Sequence, residues 1–128
     1  MDKKIINTNK VFSSAIFSQG IKTGPFLWIS GQIAMDVETG NLLNDTFEKE
    51  VDQCIKNIEN ILKESNYTLE NIIKVNIYLT NFDLYDRMNQ VYLKYFSVNP
   101  PVRAALEVSN LARGAKIEME AVAFKESN

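Results

Sequence analysis

Three charged side chains in the last third of the chain have the types and spacing to do chemistry: Arg103, Glu118 and Glu120. Arg103 follows a rigid Pro100-Pro101 step and opens the alternating stretch Val102-Arg103-Ala104-Ala105-Leu106-Glu107-Val108. Glu118 and Glu120 alternate within Lys116-Ile117-Glu118-Met119-Glu120-Ala121, which puts both carboxylates on one face of a strand. A guanidinium fork grips a small carboxylate through parallel, charge-assisted hydrogen bonds. A nearby carboxylate can align a water and take its proton. Carboxylate binding beside a general base is therefore the chemistry this pattern offers. Each residue also has a plain structural reading: Arg103 as a surface or ion-paired arginine, the glutamates as the wet side of an edge strand. Like charges on one face repel, so at least one of the pair needs a cation or water, and Lys116 on the same face is a candidate.

The remaining composition narrows the options. There is no histidine, which removes Ser-His and Cys-His nucleophile pairs and the two-histidine layout of metal-free ribonucleases. A zinc site would have to be built from carboxylates and the single Cys54, a poor donor set, so no metal is expected. Cys54 sits in an apolar stripe and reads as core, as does Trp28. Ser30, with no histidine or lysine base in view, is a weak nucleophile. Fourteen basic against 16 acidic residues give a net charge of −2, and Lys3-Lys4 is the sole adjacent basic pair. That balance argues against a dedicated nucleic-acid binder. With no apolar leader and no run near the ~20 residues of a membrane span, the chain reads as soluble and cytoplasmic. Its 128 residues fit one domain, 1–128.

The elements that must position these groups follow from periodicity. The first part, 5–18, alternates weakly and has room for one or two short strands, and 20–24 reads as a turn. Phe26-Leu27-Trp28-Ile29-Ser30-Gly31-Gln32-Ile33 is a near-continuous apolar run, a mostly buried strand. Glu38-Thr39-Gly40-Asn41 reads as a hairpin tip. A helix is predicted over 45–65, with Asp45 and Glu48 as a capping box and Val51, Cys54, Ile55, Ile58, Ile61 and Leu62 as its apolar stripe. A strand at 73–79, an amphipathic helix at 83–97 and two strands at 102–108 and 116–124, around a turn near Arg113-Gly114, complete the chain. The order β-β-α-β-α-β-β defines an α+β domain, two helices on one face of a mixed sheet. The other face must meet water or another subunit, and apolar residues on both sides of the last strand point to oligomerisation.

Gln19-Gly20, Ser30-Gly31-Gln32-Ile33, Asn89, Pro101-Val102-Arg103, Glu107-Val108 and the Lys116 to Ala121 stretch occur together in one order and spacing. In that combination the chain resembles the YjgF/RidA family of reactive intermediate deaminases over nearly its whole length. The resemblance implies a chorismate-mutase-like fold and a homotrimer whose sheets form an inner barrel, with ligand clefts at the subunit interfaces. It implies hydrolysis of enamines and imines, such as 2-aminoacrylate and its tautomer 2-iminopropanoate, to 2-keto acids and ammonia, with no cofactor. By position, Arg103 looks like the carboxylate-binding arginine and Glu118 like the acid/base that holds the attacking water. The backbone at Ala105 looks like a ligand contact, Ser30 and Gly31 like cleft wall, and Asn89 like a helix residue near the rim. Two positions depart from the family pattern. Ala105 stands where many relatives have cysteine, which excludes thiol chemistry there. Phe17 stands where many have tyrosine, which keeps the ring and loses the hydroxyl. Two other readings use the same family: a metabolite-binding regulatory trimer, and an RNA-cleaving translation inhibitor. The absent histidine and the acidic balance weigh against the second.

Overall fold

The computed structural model of the protein describes residues 2–126. Six strands, β1 (Lys3–Ile6), β2 (Gly20–Thr23), β3 (Phe26–Gln32), β4 (Ile72–Leu79), β5 (Val102–Glu107) and β6 (Ile117–Phe124), form one sheet in the order β1-β2-β3-β6-β4-β5. Two helices, α1 (Phe47–Lys63) and α2 (Tyr85–Tyr92), cover one face. All neighbours are antiparallel except β4 and β5, so the sheet is mixed. A parallel pair needs a crossover, and α2 supplies it.

The α+β class and the two-helix face agree with the sequence pattern, and four details do not. First, Gly20–Thr23 is a strand, and the expected turn lies just after it, where Gly24 at φ 57 turns the β2–β3 hairpin. The sheet therefore gains a strand over the expected count. Second, α1 is capped by Thr46, whose hydroxyl accepts from Lys49 N–H at 3.1 Å, and not by an Asp45–Glu48 box. Third, α2 is shorter than 83–97. Beyond Tyr92 the chain tightens into i→i−3 bonds, Lys94 N–H to the Val91 carbonyl and Tyr95 N–H to that of Tyr92. Fourth, β3 is not buried on both sides. Leu27 and Ile29 enter the core, while Trp28 is 49% exposed on the open face and donates to Thr23 Oγ1.

The core lies between the helices and one sheet face. The α1 stripe Val51, Cys54, Ile55, Ile58, Ile61 and Leu62 is buried as its spacing requires. It meets Leu27, Val75, Ile77, Ile117, Met119 and Ala121 from the strands. Strand β6 alternates strictly: Ile117, Met119, Ala121 and Ala123 are buried, while Glu118, Glu120, Val122 and Phe124 face the open side. Two buried amides fix the segments around β3. Asn57 Nδ2 donates to the carbonyls of Ile33 and Met35. Gln19 Nε2 donates to those of Thr8 and Val11, and its Oε1 accepts from Thr8 N–H. Gln19 is thereby the staple that shapes the loop between β1 and β2.

Candidate functional site

Glu118 occupies a seat built by a strand irregularity. Between the pairs Ile29–Ala121 and Gln32–Met119 the β3–β6 register shifts, which bulges β3 at Ser30-Gly31. A Cβ on Gly31 would stand 2.3 Å from Glu118 Oε2, so only glycine leaves room for the carboxylate against the backbone. The stapled loop delivers Phe12, Ile16 and Phe17 to the same place. With Met35 and Arg113 they line a cleft of about 310 Å³ around Glu118. Arg113 closes one side from a left-handed backbone (φ 58), its guanidinium 5.5 Å above the Phe12 ring.

The two glutamates differ sharply. Glu120 accepts from Asn76 Nδ2 at 3.2 Å and from the Tyr78 hydroxyl, whose pKa it pushes up to about 12, so that proton stays on the phenol. Lys116 does not serve either carboxylate. It forms no ion pair among the described residues, and its N–H anchors the start of β6 on the buried Glu50 at 2.7 Å. Glu118 has no hydrogen-bond partner among the described residues. Burial, and then the charge of Glu120, raise its carboxyl above the ordinary range. An unpartnered carboxyl with an elevated pKa, in an apolar cleft, is suited to trade protons with water.

Arg103 lies on the other face of the sheet. It pairs with the core residue Val75 across β4–β5 and points toward α2. There Nη1 donates to Asn89 Oδ1 and Nη2 to the Tyr85 hydroxyl, both at 2.7 Å. The guanidinium carbon sits 4.9 Å over the Tyr92 ring and 5.6 Å from that of Tyr85. Both acceptors are neutral. The other forked arginine is a useful contrast: Arg87 grips Glu48 through Nε and Nη2 at 2.7 and 2.9 Å. Among the described residues Arg103 has no carboxylate, and its Nε–H and one N–H on each terminal nitrogen are left for a ligand. Ala105 shares its face, half-buried, opposite Ile77.

The residues singled out from sequence thus fall into two groups. Arg103, Asn89 and Ala105 belong together on the helix side; Glu118, Gly31 and Phe17 belong together on the open side. Ser30 is adjacent to the second group but differently engaged: its N–H donates to the Gln19 carbonyl and its hydroxyl to that of Ser18. It faces a neighbouring hollow of about 500 Å³ shared with Phe17, Trp28, Lys74 and Glu120. Asn89, expected as a helix residue near the rim, is Arg103's hydrogen-bond partner within the same chain. One chain does not join Arg103 to Glu118. Sequence reasoning missed Tyr85, Tyr78 and Asn76. For Tyr85 a signal existed: Tyr85, Asn89 and Tyr92 follow i, i+4, i+7 spacing, one helix face turned toward β5.

An α+β fold of this topology has close counterparts. The crystal structure of RidA from an Antarctic Psychrobacter matches with a TM-score of 0.91 at 30% identity, covering 95% of this chain and 99% of that one. A sequence profile described as Endoribonuclease L-PSP matches residues 8–125. A RutC family protein of Pyrococcus abyssi is 39% identical over 127 residues, 98% of this chain and 100% of that protein. The human 2-iminobutanoate/2-iminopropanoate deaminase is 35% identical over 125 residues, 96% of this chain and 90% of that protein. The chain belongs to the YjgF/RidA family.

Proposed function

We propose that the protein hydrolyses small imines and enamines bearing a carboxylate, of the 2-iminopropanoate type, to 2-keto acids and ammonia. The observation that carries this reading is the pair of complementary, unsatisfied groups: a fixed guanidinium without a carboxylate and a raised carboxyl without a donor. The deaminase name of the human relative supports it. Because the two groups lie on opposite sheet faces, the working site is completed between subunits. The open face favours such assembly. Ile5, Ile21, Trp28, Val122, Lys74 and Val102 stand in register across it, and Trp28 and Val102 are 49% and 68% exposed. A closed homotrimer, joined around these faces, would bury that surface at ~25 cal/mol per Å² of apolar area.

In this mechanism Arg103 holds the substrate carboxylate and so orients the C=N carbon. Glu118 of the adjoining subunit aligns a water and takes its proton as the oxygen attacks that carbon. Glu118 returns that proton to the nitrogen, which gives the neutral carbinolamine. The carboxylate then takes the hydroxyl proton and delivers it to the nitrogen, so that the C–N bond breaks and ammonia departs as the C=O bond forms. Imines hydrolyse unaided in water, so positioning and one acid/base group meet the need. The test is a coupled assay: a serine or threonine dehydratase generates the imine in place, and keto-acid and ammonia release are followed with and without the protein. Acceleration of both products supports hydrolysis. Binding of keto acid without acceleration would instead mark a metabolite-binding trimer, which Arg103 would serve equally well.

A further inference from the structure

We propose that Tyr85 is a positioning residue for carboxylate capture, an assignment that rests on the reading of Arg103 as the carboxylate anchor. A guanidinium at the end of a flexible stem recognises a carboxylate in two-point fashion only if its plane is fixed. One hydrogen bond leaves it free to pivot. Asn89 holds one terminal nitrogen and the Tyr85 hydroxyl holds the other, each at 2.7 Å, while the Tyr92 ring at 4.9 Å sets the plane. Tyr85 is itself immobilised: its ring stacks on Phe82 with centroids 4.8 Å apart and planes at 19°. The chemistry of the acceptors matters as much as their place. A carboxylate at either position would neutralise the fork, as Glu48 does for Arg87. A phenol and an amide aim the cation and leave its charge for the ligand. Phenylalanine at this position would keep the stack and lose the aim.

The test is Tyr85→Phe, read three ways: keto-acid affinity by titration with 2-oxobutanoate, KM and kcat for the imine, and rotation of the Arg103 guanidinium by side-chain nitrogen NMR. The expected result is a rise of ~10–100-fold in Kd and KM, the scale of one hydrogen bond to a charged group. The kcat stays within about a factor of two, because the fork holds substrate and transition state alike. Guanidinium rotation, slow in the wild type, becomes fast in the variant, and the thermal midpoint is retained. A Tyr85→Phe protein that binds and turns over like the wild type overturns the assignment and leaves Arg103's role standing. A wild-type protein that neither binds 2-oxobutanoate nor accelerates imine hydrolysis removes the carboxylate reading itself, and Tyr85 with it.

Discussion

The Arg103 and Glu118 regions lie on opposite faces of one sheet and are prepared by opposite means. Arg103 is surrounded: two neutral oxygens, two aromatic rings and a strand paired to the core hold it still while, among the described residues, leaving it no counter-charge. Glu118 is deprived: a glycine clears its seat, mostly apolar side chains wall it, and burial and then the like charge of Glu120 work against its ionised form. Each region has an internal control. Arg87 has its carboxylate and Glu120 has its phenol and amide. What separates a group available for chemistry from a structural one here is a missing partner, not residue type or exposure.

Substitutions can break the comparison from either side. Glu118→Gln is expected to lower kcat by ~10²–10⁴-fold, the usual worth of general acid/base help, with little change in keto-acid affinity. Arg103→Ala is expected to lose both, by about 2–5 kcal/mol in transition-state binding, and Arg103→Lys should recover little because an ammonium makes no fork. Steady-state kinetics beside keto-acid titration separates the two patterns. If Glu120→Gln shows the fall and Glu118→Gln does not, the roles within the pair are reversed.

Gly31→Ala sharpens the Glu118 side. The added methyl meets the far end of a flexible side chain, so the fold should hold while the carboxylate is displaced. Misplacement by about 1 Å can cost ~10²-fold, and turnover should drop toward that figure with the thermal midpoint nearly unchanged. Wild-type turnover in this variant would mean that the Glu118 seat is immaterial.

The smallest expected effect concerns pH. Burial and the Glu120 charge raise the folded-state pKa of Glu118, so its base form appears only as pH rises through that raised value. Turnover should therefore have an acid limb above the ordinary carboxylate range. The same shift means that stability from the protonated form is fully present below the unfolded-state pKa and is lost as pH rises through the folded one. Glu120→Gln removes the second cause and leaves burial, so the limb should move to lower pH without vanishing. A pH profile of kcat for the variant that coincides with the wild type would contradict the coupling.

Much of this fold was legible because its signals are periodic. The α1 stripe and the strict alternation of β6 follow from burial of one face, and the structure keeps both. The Gly20–Thr23 strand was not legible: glycine and threonine there resemble a turn, and only pairing with β1 and β3 makes them a strand. Trp28 was misleading for a related reason, since an apolar run looks buried on both sides even when one side is open. Arg103 and the two glutamates could be selected by type and spacing. Their placement on opposite faces could not, because it depends on how β5 joins β4 in parallel while β6 lies on the other side of β4. Tyr78 and Asn76, which settle Glu120, come from a neighbouring strand and carry no local signature.

The claim that one site is assembled from two chains is tested most directly by complementation. Arg103→Ala and Glu118→Gln chains, each inactive alone, are co-expressed and purified as mixed oligomers. In a closed trimer with shared sites, every mixed assembly regains one intact pairing of Arg103 with Glu118, and random mixing should restore about a quarter of wild-type turnover. No recovery from verified mixed trimers would show that Arg103 and Glu118 do not act together across an interface, and would contradict the account.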